Sequence, residues 1–440
     1  MKRKTLTTAV MAGLTGVAGM VSVANAVNVN PDGLGQVLLY PYYTARGGND
    51  TLVSVVNTTT AGKAVKIRFI EGMNSREVLD FNIYLSEFDV WTAAVTDLEA
   101  LGLGDGPGIL TSDTTCTAPY IFGDFGGAVE FVNFQYAVGE GETVAGAETA
   151  DGGPTGIERA ASGYIEIIEM GTLEDEGVVD TWVTHDETGV PADCESVVDL
   201  WRTPADDAPT DGGGALGTWN ENEGVGGDST FSFNPDGATG GIFGAGSIIN
   251  VNEGTMFSYN ATAIDGFWGD GSTAHENPGN VNPGLGSSDQ SISNVFVNGV
   301  VETIDWPDSV RAVNATLTLD QLMNEFNIES ALGARTEWVL TFPTKRFHVD
   351  AAPSGSPFLE SGAETPIPPF SETWTVDSPS SCDELSLGFW DREEQTPTPE
   401  PGDPGDVIIS PPPPTQPPEE EPVFELCREA NVIRFSNDLS

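Results

Sequence analysis

Positive charge is scarce in this sequence. Lys and Arg number 17 against 67 Asp and Glu, so the formal net charge of the 440 residues is 17 − 67 = −50. A surface with so few cations cannot hold nucleic acid or anionic lipid through a general basic patch. We therefore expect no nucleic-acid partner, and we expect an acidic surface that keeps the chain soluble and attracts cations.

Reactive motifs are also missing. The sequence has three histidines, no HExxH or GxSxG pattern and no CxxC spacing. These absences argue against a zincin, a nucleophile-elbow hydrolase and a zinc finger. His185, followed by Asp186 and Glu187, comes nearest to a catalytic grouping, but a chain with 67 carboxylates places an acid beside most histidines by chance. No catalytic residue is predicted.

What the chain does contain is glycine, proline and a moderate apolar content. Gly and Pro number 52 and 30, hydrophobic residues make up 39% and aromatic residues 9%. So much Gly and Pro excludes a helical bundle, while the apolar content is too high for wholesale disorder. The composition indicates a loop-rich, mainly β protein with one large or two ordinary domains.

The first 26 residues read as a secretory signal peptide. Lys2, Arg3 and Lys4 precede an apolar stretch at 6–23, and Ala24-Asn25-Ala26 provides a small-x-small cleavage pattern. An uncleaved N-terminal anchor is the alternative. No later apolar run reaches the roughly 18 residues of a spanning helix, so we expect no transmembrane span in the mature chain. The predicted location is outside the cytoplasm, in the periplasm or at the cell exterior and surface.

Four cysteines fit such an export. Four cysteines allow three pairings, and we favour the sequential one, Cys116 with Cys194 and Cys382 with Cys427. The second pair flanks a proline-rich stretch at 396–422, which composition alone would make an extended linker. If these cysteines pair, the stretch is instead a stiff tethered loop.

Alternating side chains indicate antiparallel strands. Residues 63–70 place Val, Ile and Phe on one face and Lys66 and Arg68 on the other, and residues 78–85 repeat the alternation. Such strands bury one face of a sheet and leave the other polar. Asp80 is expected to pair across the strands with Lys66 or Arg68. The fold class predicted is mainly β, with one or two antiparallel, immunoglobulin-like β-sandwich units and long acidic Gly/Pro-rich loops.

The strands divide into two blocks. We predict an N-terminal β-sandwich at 27–200, a polar Gly-rich linker at 201–230 and a second β-rich unit at 231–440. The interval 201–230 can equally be an insertion into one large sandwich.

One short helix is predicted near 319–330. Leu319, Leu322, Met323 and Phe326 follow the i, i+3, i+4, i+7 spacing of an amphipathic helix. We expect this helix to pack on a sheet.

The first strand block carries a resemblance. The stretch NDTLVSVVNTTTAGKAVKIRFIEGMNSREVLDFNIYLSEFDVW resembles the immunoglobulin-like sandwich domains of exported bacterial proteins. The segments LLYPYYTARGGNDT, EWVLTFPTKRFHVD and LGFWDREE resemble a family of secreted proteobacterial proteins whose activity is uncharacterised. The resemblance implies export and a sandwich fold, and it carries over no functional residue.

Two kinds of ligand site are candidates. Trp219 and Trp268 lie in polar or Gly-rich stretches where an exposed indole would stack on a sugar, but we favour the alternative, in which these rings plug sandwich ends or cover sheet edges. Asp265 and Asp270 each precede a glycine in one loop and offer the hard oxygen ligands that Ca²⁺ prefers. Calcium is the one cofactor considered, and diffuse cation binding by the acidic surface is its alternative.

These observations favour a secreted, non-catalytic protein of the cell surface or exterior that acts by binding or assembly, on an extracellular protein or a polysaccharide. One alternative is a carbohydrate-binding module that uses the loop tryptophans, assisted by calcium. The other is a secreted hydrolase with a carboxylate pair that sequence spacing cannot reveal.

Overall fold

A computed structural model describes residues 26–137, 150–201, 233–297, 299–319, 321–329, 331, 333–353, 355–388, 406–410 and 424–436. Strands dominate these residues and pair in antiparallel sheets, which confirms the predicted fold class. In the described part of the chain, no helix has the length and apolar character needed to cross a membrane.

The described residues form twenty strands. They are β1 (Asn28–Val29), β2 (Val37–Thr44), β3 (Asn49–Asn57), β4 (Lys63–Glu71), β5 (Glu77–Leu85), β6 (Val90–Asp97), β7 (Pro107–Leu110), β8 (Cys116–Ala118), β9 (Ala128–Glu130), β10 (Ser162–Thr172), β11 (Ile242–Asn250), β12 (Thr255–Asn260), β13 (Thr262–Asp265), β14 (Ile292–Val297), β15 (Val300–Asp305), β16 (Thr336–Thr341), β17 (Asp383–Leu385), β18 (Asp406–Ser410), β19 (Phe424–Leu426) and β20 (Ala430–Ser436).

The helices are short. The α-helices are α1 (Leu98–Leu101), α2 (Ile121–Asp124), α3 (Val178–Val183), α4 (Cys194–Asp199), α5 (Ser309–Leu317) and α6 (Lys345–Val349). Three 3₁₀ turns cover Arg46–Gly48, Ile157–Ala161 and Leu285–Ser287.

Two large sheets enclose the main core. One has seven strands in the order β1-β13-β2-β10-β4-β5-β8, and the other has six in the order β12-β11-β3-β6-β7-β9. The inner faces supply one buried cluster, to which β4 gives Ile67 and Phe69, β3 gives Val55 and β6 gives Trp91. The sheets together hold more than the roughly seven to nine strands of an immunoglobulin domain. Period-2 alternation places these apolar side chains between the layers.

The predicted division at 201–230 does not follow the sheets. Strands β11 and β13 lie after this interval, yet β11 pairs with β3 and β13 pairs with β2. Strands from both sides of the interval therefore build one sandwich, which agrees with the insertion alternative. Apart from residue 201, the interval itself lies outside the described residues.

Both faces of the seven-stranded sheet are buried, which differs from the one-sided burial that we predicted. Helices α3 and α4 cover part of the outer face around the Cys116–Cys194 disulfide. A second cluster, which includes Trp268 and residues of α5, covers another part. The polar side chains that alternate outward along β4 are therefore enclosed, and every residue of β4 is buried.

The helix predicted near 319–330 is wrong. The described residues of that segment have no helical turns, and the helix in this region is α5, which ends at Leu317. Helix α5 buries Val310 and Val313, whereas Leu322 and Met323 are exposed and offer no buried face. The Asn327 N–H donates to the Thr336 hydroxyl, so the segment follows β16 instead of closing its own helical hydrogen bonds.

The C-terminal strands form two small sheets, ordered β16-β20-β18 and β17-β19. Strand β18 lies within the stretch 396–422, so part of that stretch is a paired strand and not a loop held away from the sheets. The rest of 396–422 lies outside the described residues.

Candidate functional site

Both predicted disulfides are present. Cys116 in β8 is bonded to Cys194 at the start of α4, and Cys382 is bonded to Cys427 beside the β17–β19 pair. The sequential pairing is confirmed. Disulfides of this kind form and persist in oxidising compartments.

A buried ionic layer lies on the outer face of the seven-stranded sheet. We use this name for Lys66, Arg68, Glu77, Asp80 and Glu166. The Arg68 guanidinium donates to Glu77 Oε2 at 2.6 Å and to Glu166 Oε2 at 2.5 Å. Burial alone would lower the pKa of Arg68, but the two carboxylates outweigh it and raise that pKa. The layer is therefore held by paired charges, as buried charges require.

Lys66 and Asp80 form the other half of this layer, and their predicted pairing across β4 and β5 is confirmed. Lys66 Nζ lies 3.4 Å from Asp80 Oδ2, and both side chains are almost completely buried. Lys66 Nζ also donates to the carbonyls of Asn277 and Asn280, at 3.0 and 2.6 Å. Asp80 Oδ1 accepts the Gly279 N–H. The loop over this face thus contacts the pair through its backbone.

A second buried network, which we name the Arg76 network, ties distant parts of the chain together. It consists of Glu71, Arg76, Asp151, Arg159 and Asp350. Arg159 contacts both Glu71 and Asp151, and Arg76 reaches Asp151 and Asp350. Burial raises the pKa of Asp151, but hydrogen bonds and charge from Arg159 outweigh it and lower that pKa to about 2.

His275 belongs to an aromatic pocket beside the ionic layer. Its Nε2 lies 3.0 Å from the Tyr84 hydroxyl, and the indole of Trp201 donates to the same hydroxyl. Burial, with a smaller contribution from the Lys66 charge, lowers the pKa of His275 to about 3. The imidazole is therefore neutral at physiological pH and acts as a hydrogen-bonding core side chain.

His185 does meet a hydroxyl and a carboxylate, but not in a relay arrangement. Ser86 Oγ lies 3.1 Å from His185 Nδ1, and Asp89 Oδ2 lies 3.9 Å from the same nitrogen. A catalytic triad needs the hydroxyl and the carboxylate on opposite ring nitrogens, so that one orients the ring while the other exchanges a proton. The Asp89 carboxylate instead accepts the N–H groups of Ser86 and Val90, which fixes the turn before β6.

The predicted sugar platform is not supported at Trp268. Its side chain is buried, with 5% of the residue exposed, and its indole N–H donates to the Glu169 carbonyl at 2.7 Å. The ring packs at right angles on Phe267 in the cluster with α5. The Trp268 side chain therefore covers part of the outer face of the seven-stranded sheet. Trp219 lies outside the described residues.

The predicted calcium ligands, Asp265 and Asp270, are not part of a group of three ligand residues among the described residues. Asp265 ends β13 opposite Asn28, and Asp270 is exposed in the following turn. Among the described residues, one group of three His, Cys, Asp or Glu side chains brings its ligand atoms within 4.8 Å of one another. That group is Cys382, Glu425 and Cys427, whose cysteines are consumed by the disulfide.

One shallow depression is lined by acidic residues. It encloses about 500 Å³ at the end of the sandwich near the first 3₁₀ turn, and its lining includes Arg46, Asp97, Glu99, Asp105 and Glu158. Ser86, Asp89 and His185 do not line it.

Two hairpins carry some of the most exposed large apolar side chains of the described residues. In the β11–β12 hairpin, Met256 and Phe257 are 67% and 61% exposed. In the β14–β15 hairpin, Phe296 is 75% exposed and faces Val301 across the strands. We call these the two apolar hairpins. Exposed apolar side chains that cluster on one surface commonly mark a binding surface.

The buried charges on the outer face of the seven-stranded sheet and in the Arg76 network could be foreseen only in part. Four of the few basic residues, Lys63, Lys66, Arg68 and Arg76, fall on or beside two adjacent strands, a concentration that signals paired charges. Nothing near them in sequence indicates Asp350 or the covering loop at 275–284.

The suggested family membership stays a prediction, because no protein-family model, curated protein or solved structure matches the chain.

Proposed function

We propose that this chain is a secreted, non-catalytic interaction protein that binds a partner protein at the cell surface or exterior through its two apolar hairpins. The observation that carries the proposal is the strong exposure of Met256, Phe257 and Phe296 on paired strands of a chain with a net charge of −50. Selection for solubility would replace such side chains with polar ones unless they served a contact.

The strand arrangement supports this mode of binding. Among the described residues, β12 pairs only with β11 and forms an edge of the six-stranded sheet. Strands β14 and β15 form a two-stranded sheet, and β14 is also bonded to Val27, so β15 is the edge of that sheet. Edge strands present unpaired N–H and C=O groups, and an extended partner segment can add to them as a further strand. The exposed apolar side chains then supply the specificity.

The disulfides and the charge support the location. Two disulfides close loops that join distant strands, which suits an oxidising compartment outside the cytoplasm. The net charge of −50 limits self-association where salt is low and is screened where salt is high. A partner that binds the hairpins therefore meets little competition from other copies of the chain in dilute buffer.

The carbohydrate alternative loses one of its two tryptophans, since Trp268 is buried. No described observation favours it or the hydrolase over the interaction role, and we develop neither.

The experiment has a location arm and a binding arm. Fractionation of native cells is expected to place the chain outside the cytoplasm. Alkylation should then label none of its four cysteines, because all four are in disulfides. Purified chain labelled at its C-terminus is then titrated onto intact cells, and saturable, protease-sensitive binding is expected. Phe257→Ser and Phe296→Ser should each weaken binding at least several-fold. Leu101→Ser, at an exposed leucine of α1, is the matched control and should bind normally.

A cytoplasmic location with free thiols would contradict the location. Equal binding by the hairpin variants and the Leu101→Ser control would contradict the hairpin surface.

A further inference from the structure

Lys66 makes a longer contact with Asp80 than a charged pair normally has. Its Nζ donates to the carbonyl oxygens of Asn277 and Asn280, at 3.0 and 2.6 Å. Asp80 Oδ2 is the third acceptor, at 3.4 Å. A charge-assisted bond between an ammonium and a carboxylate is normally about 2.7–2.9 Å long. The contact with Asp80 is therefore the weakest of the three, so the proton on that side is the one that Nζ loses most easily, and the lone pair left behind lies beside the carboxyl group.

Asp80 is held as an acceptor for such an attack. The Gly279 N–H donates to Oδ1 at 2.5 Å, so one carboxyl oxygen already has a backbone donor. A donor of this kind stabilises the oxyanion that forms when a nucleophile adds to the carboxyl carbon. The side chains of Lys66 and Asp80 are 0% and 2% exposed, so bulk water has little access. Holding the amine and the carboxyl group in contact in a fixed geometry removes much of the entropic cost of bringing them together.

We propose that Lys66 and Asp80 condense to an intramolecular isopeptide bond that joins Lys66 Nζ to Asp80 Cγ between β4 and β5. The amine nitrogen adds to the carboxyl carbon, and an N–C bond forms. The C–OH bond of the carboxylic acid then breaks. The departing hydroxyl leaves as water with one proton from the amine, while the second amine proton remains on the amide. No oxidation, reduction or co-reactant is involved.

The electrostatics favour the reactive protonation states. Burial lowers the pKa of Lys66, although Asp80 and Glu77 partly oppose this effect. Burial, together with the negative charge of Glu77, raises the pKa of Asp80, although the Lys66 charge opposes this effect. Both directions increase the share of molecules with a neutral amine beside a neutral carboxylic acid, which are the forms that condense.

Lys63 and Glu169 provide an internal comparison. Their contact is also buried, but Nζ lies 2.8 Å from Oε1, the normal length for a charged pair. The remaining acceptors of Lys63 Nζ are the hydroxyls of Thr172 and Thr239. Glu169 receives the backbone N–H groups of Thr239 and Gly240. This arrangement is that of a retained ion pair, and no condensation is proposed for it.

The test is a mass measurement on the full chain, purified from the compartment in which it folds and then reduced. The wild-type protein is expected to weigh one water molecule less than its sequence requires. Trypsin should fail to cleave after Lys66, and peptide 64–68 should be recovered joined to peptide 77–159. Fragmentation should locate the branch at Lys66 and Asp80. This map separates the amide from a succinimide at Asp80, which loses water without joining two peptides.

Variants complete the test. Lys66→Arg and Asp80→Ala should have the full mass, while Lys63→Arg should retain the water loss. The decisive result needs no variant to fold. Wild-type protein with both disulfides formed, the full sequence mass and normal cleavage after Lys66 would overturn the proposal, as would a water loss that maps to other residues.

Discussion

Arg76, in the turn between β4 and β5, forms a completely buried ion pair with Asp350, which follows α6. Arg76 Nη2 lies 2.9 Å from Asp350 Oδ2, and neither side chain is exposed. Asn74 donates to Asp151 and Asp350, so the contact belongs to a wider polar cluster. The Arg76 network therefore fastens the C-terminal part of the chain to the sandwich through residues far apart in sequence.

Removing one partner of this pair should be strongly destabilising. We expect Arg76→Met to lower the free energy of unfolding by about 3–5 kcal/mol, because the Asp350 carboxylate would stay buried without its main counter-charge. Arg434→Met is the matched control, since Arg434 pairs with Glu337 where both side chains are about half exposed. It should cost no more than about 1 kcal/mol. Chemical denaturation measures both, and similar losses for the two variants would contradict the network's importance.

His275 should make stability depend on pH. The pKa of His275 is lowered to about 3, below its unfolded value of about 6.5. Between these two pH values, the unfolded chain binds a proton on this imidazole that the folded chain does not bind. Stability contributed by the neutral imidazole is complete above about pH 6.5 and falls towards pH 3 by roughly 1.4 kcal/mol per unit. Denaturation of wild type and His275→Gln across this window measures the effect as a difference in slope.

Tyr84→Phe is the control for this slope, because it removes the hydroxyl at Nε2 but keeps the buried imidazole. It should lower stability without abolishing the slope. A His275→Gln profile parallel to that of the wild type would show that the imidazole does not titrate as described.

Trp268 should act as a core residue. Trp268→Ala is expected to cost about 3–5 kcal/mol of stability, as large-to-small substitutions of buried aromatics do. Trp268→Phe keeps much of the packing and loses the hydrogen bond to the Glu169 carbonyl, so it should cost less. Thermal and chemical unfolding give the values. A Trp268→Ala protein of unchanged stability that loses binding to a polysaccharide would instead restore the sugar-platform interpretation.

The two disulfides should stabilise different parts of the fold. They close loops with sequence separations of 78 and 45 residues, for which the chain-entropy model gives roughly 4–4.5 kcal/mol each. Replacing Cys116 and Cys194 by Ser should loosen α4 and β8 on the outer face of the sandwich. Replacing Cys382 and Cys427 should raise amide exchange in β17 and β19 and leave the sandwich protected. Equal exchange in all strands for both variants would contradict this separation.

The alternation along β4 and β5 was sufficient to predict the strands, their antiparallel pairing and a contact of Asp80 with Lys66 or Arg68, of which the structure shows the one with Lys66. It was not sufficient to predict that the polar face is covered. Periodicity shows which side chains share a face, but the covering loop at 275–284 reaches Lys66 through backbone carbonyls, which have no side-chain signature. The buried position of Trp268 agrees with the favoured interpretation, in which the ring covers the sandwich.

The helix predicted near 319–330 shows that helical spacing of apolar residues is not sufficient when those residues do not pack against another element. Leu322 and Met323 have helical spacing, yet most helical stability comes from packing an apolar face. Leu322 and Met323 are exposed. Helix α5 instead buries one face, and its N-terminus is capped by Asp308, which accepts the Arg311 N–H. The sequential disulfide pairing, favoured among three possible ones, is the one that forms.

Site-specific photocrosslinking in living cells tests the interaction role most directly. A photoreactive residue is placed at Phe257, at Phe296 or, as the control, at Leu101, and adducts are resolved after illumination. The account predicts a discrete adduct with one and the same partner protein at both hairpin positions, and none at Leu101. No adduct at either hairpin, or the same adducts at all three positions, would contradict it.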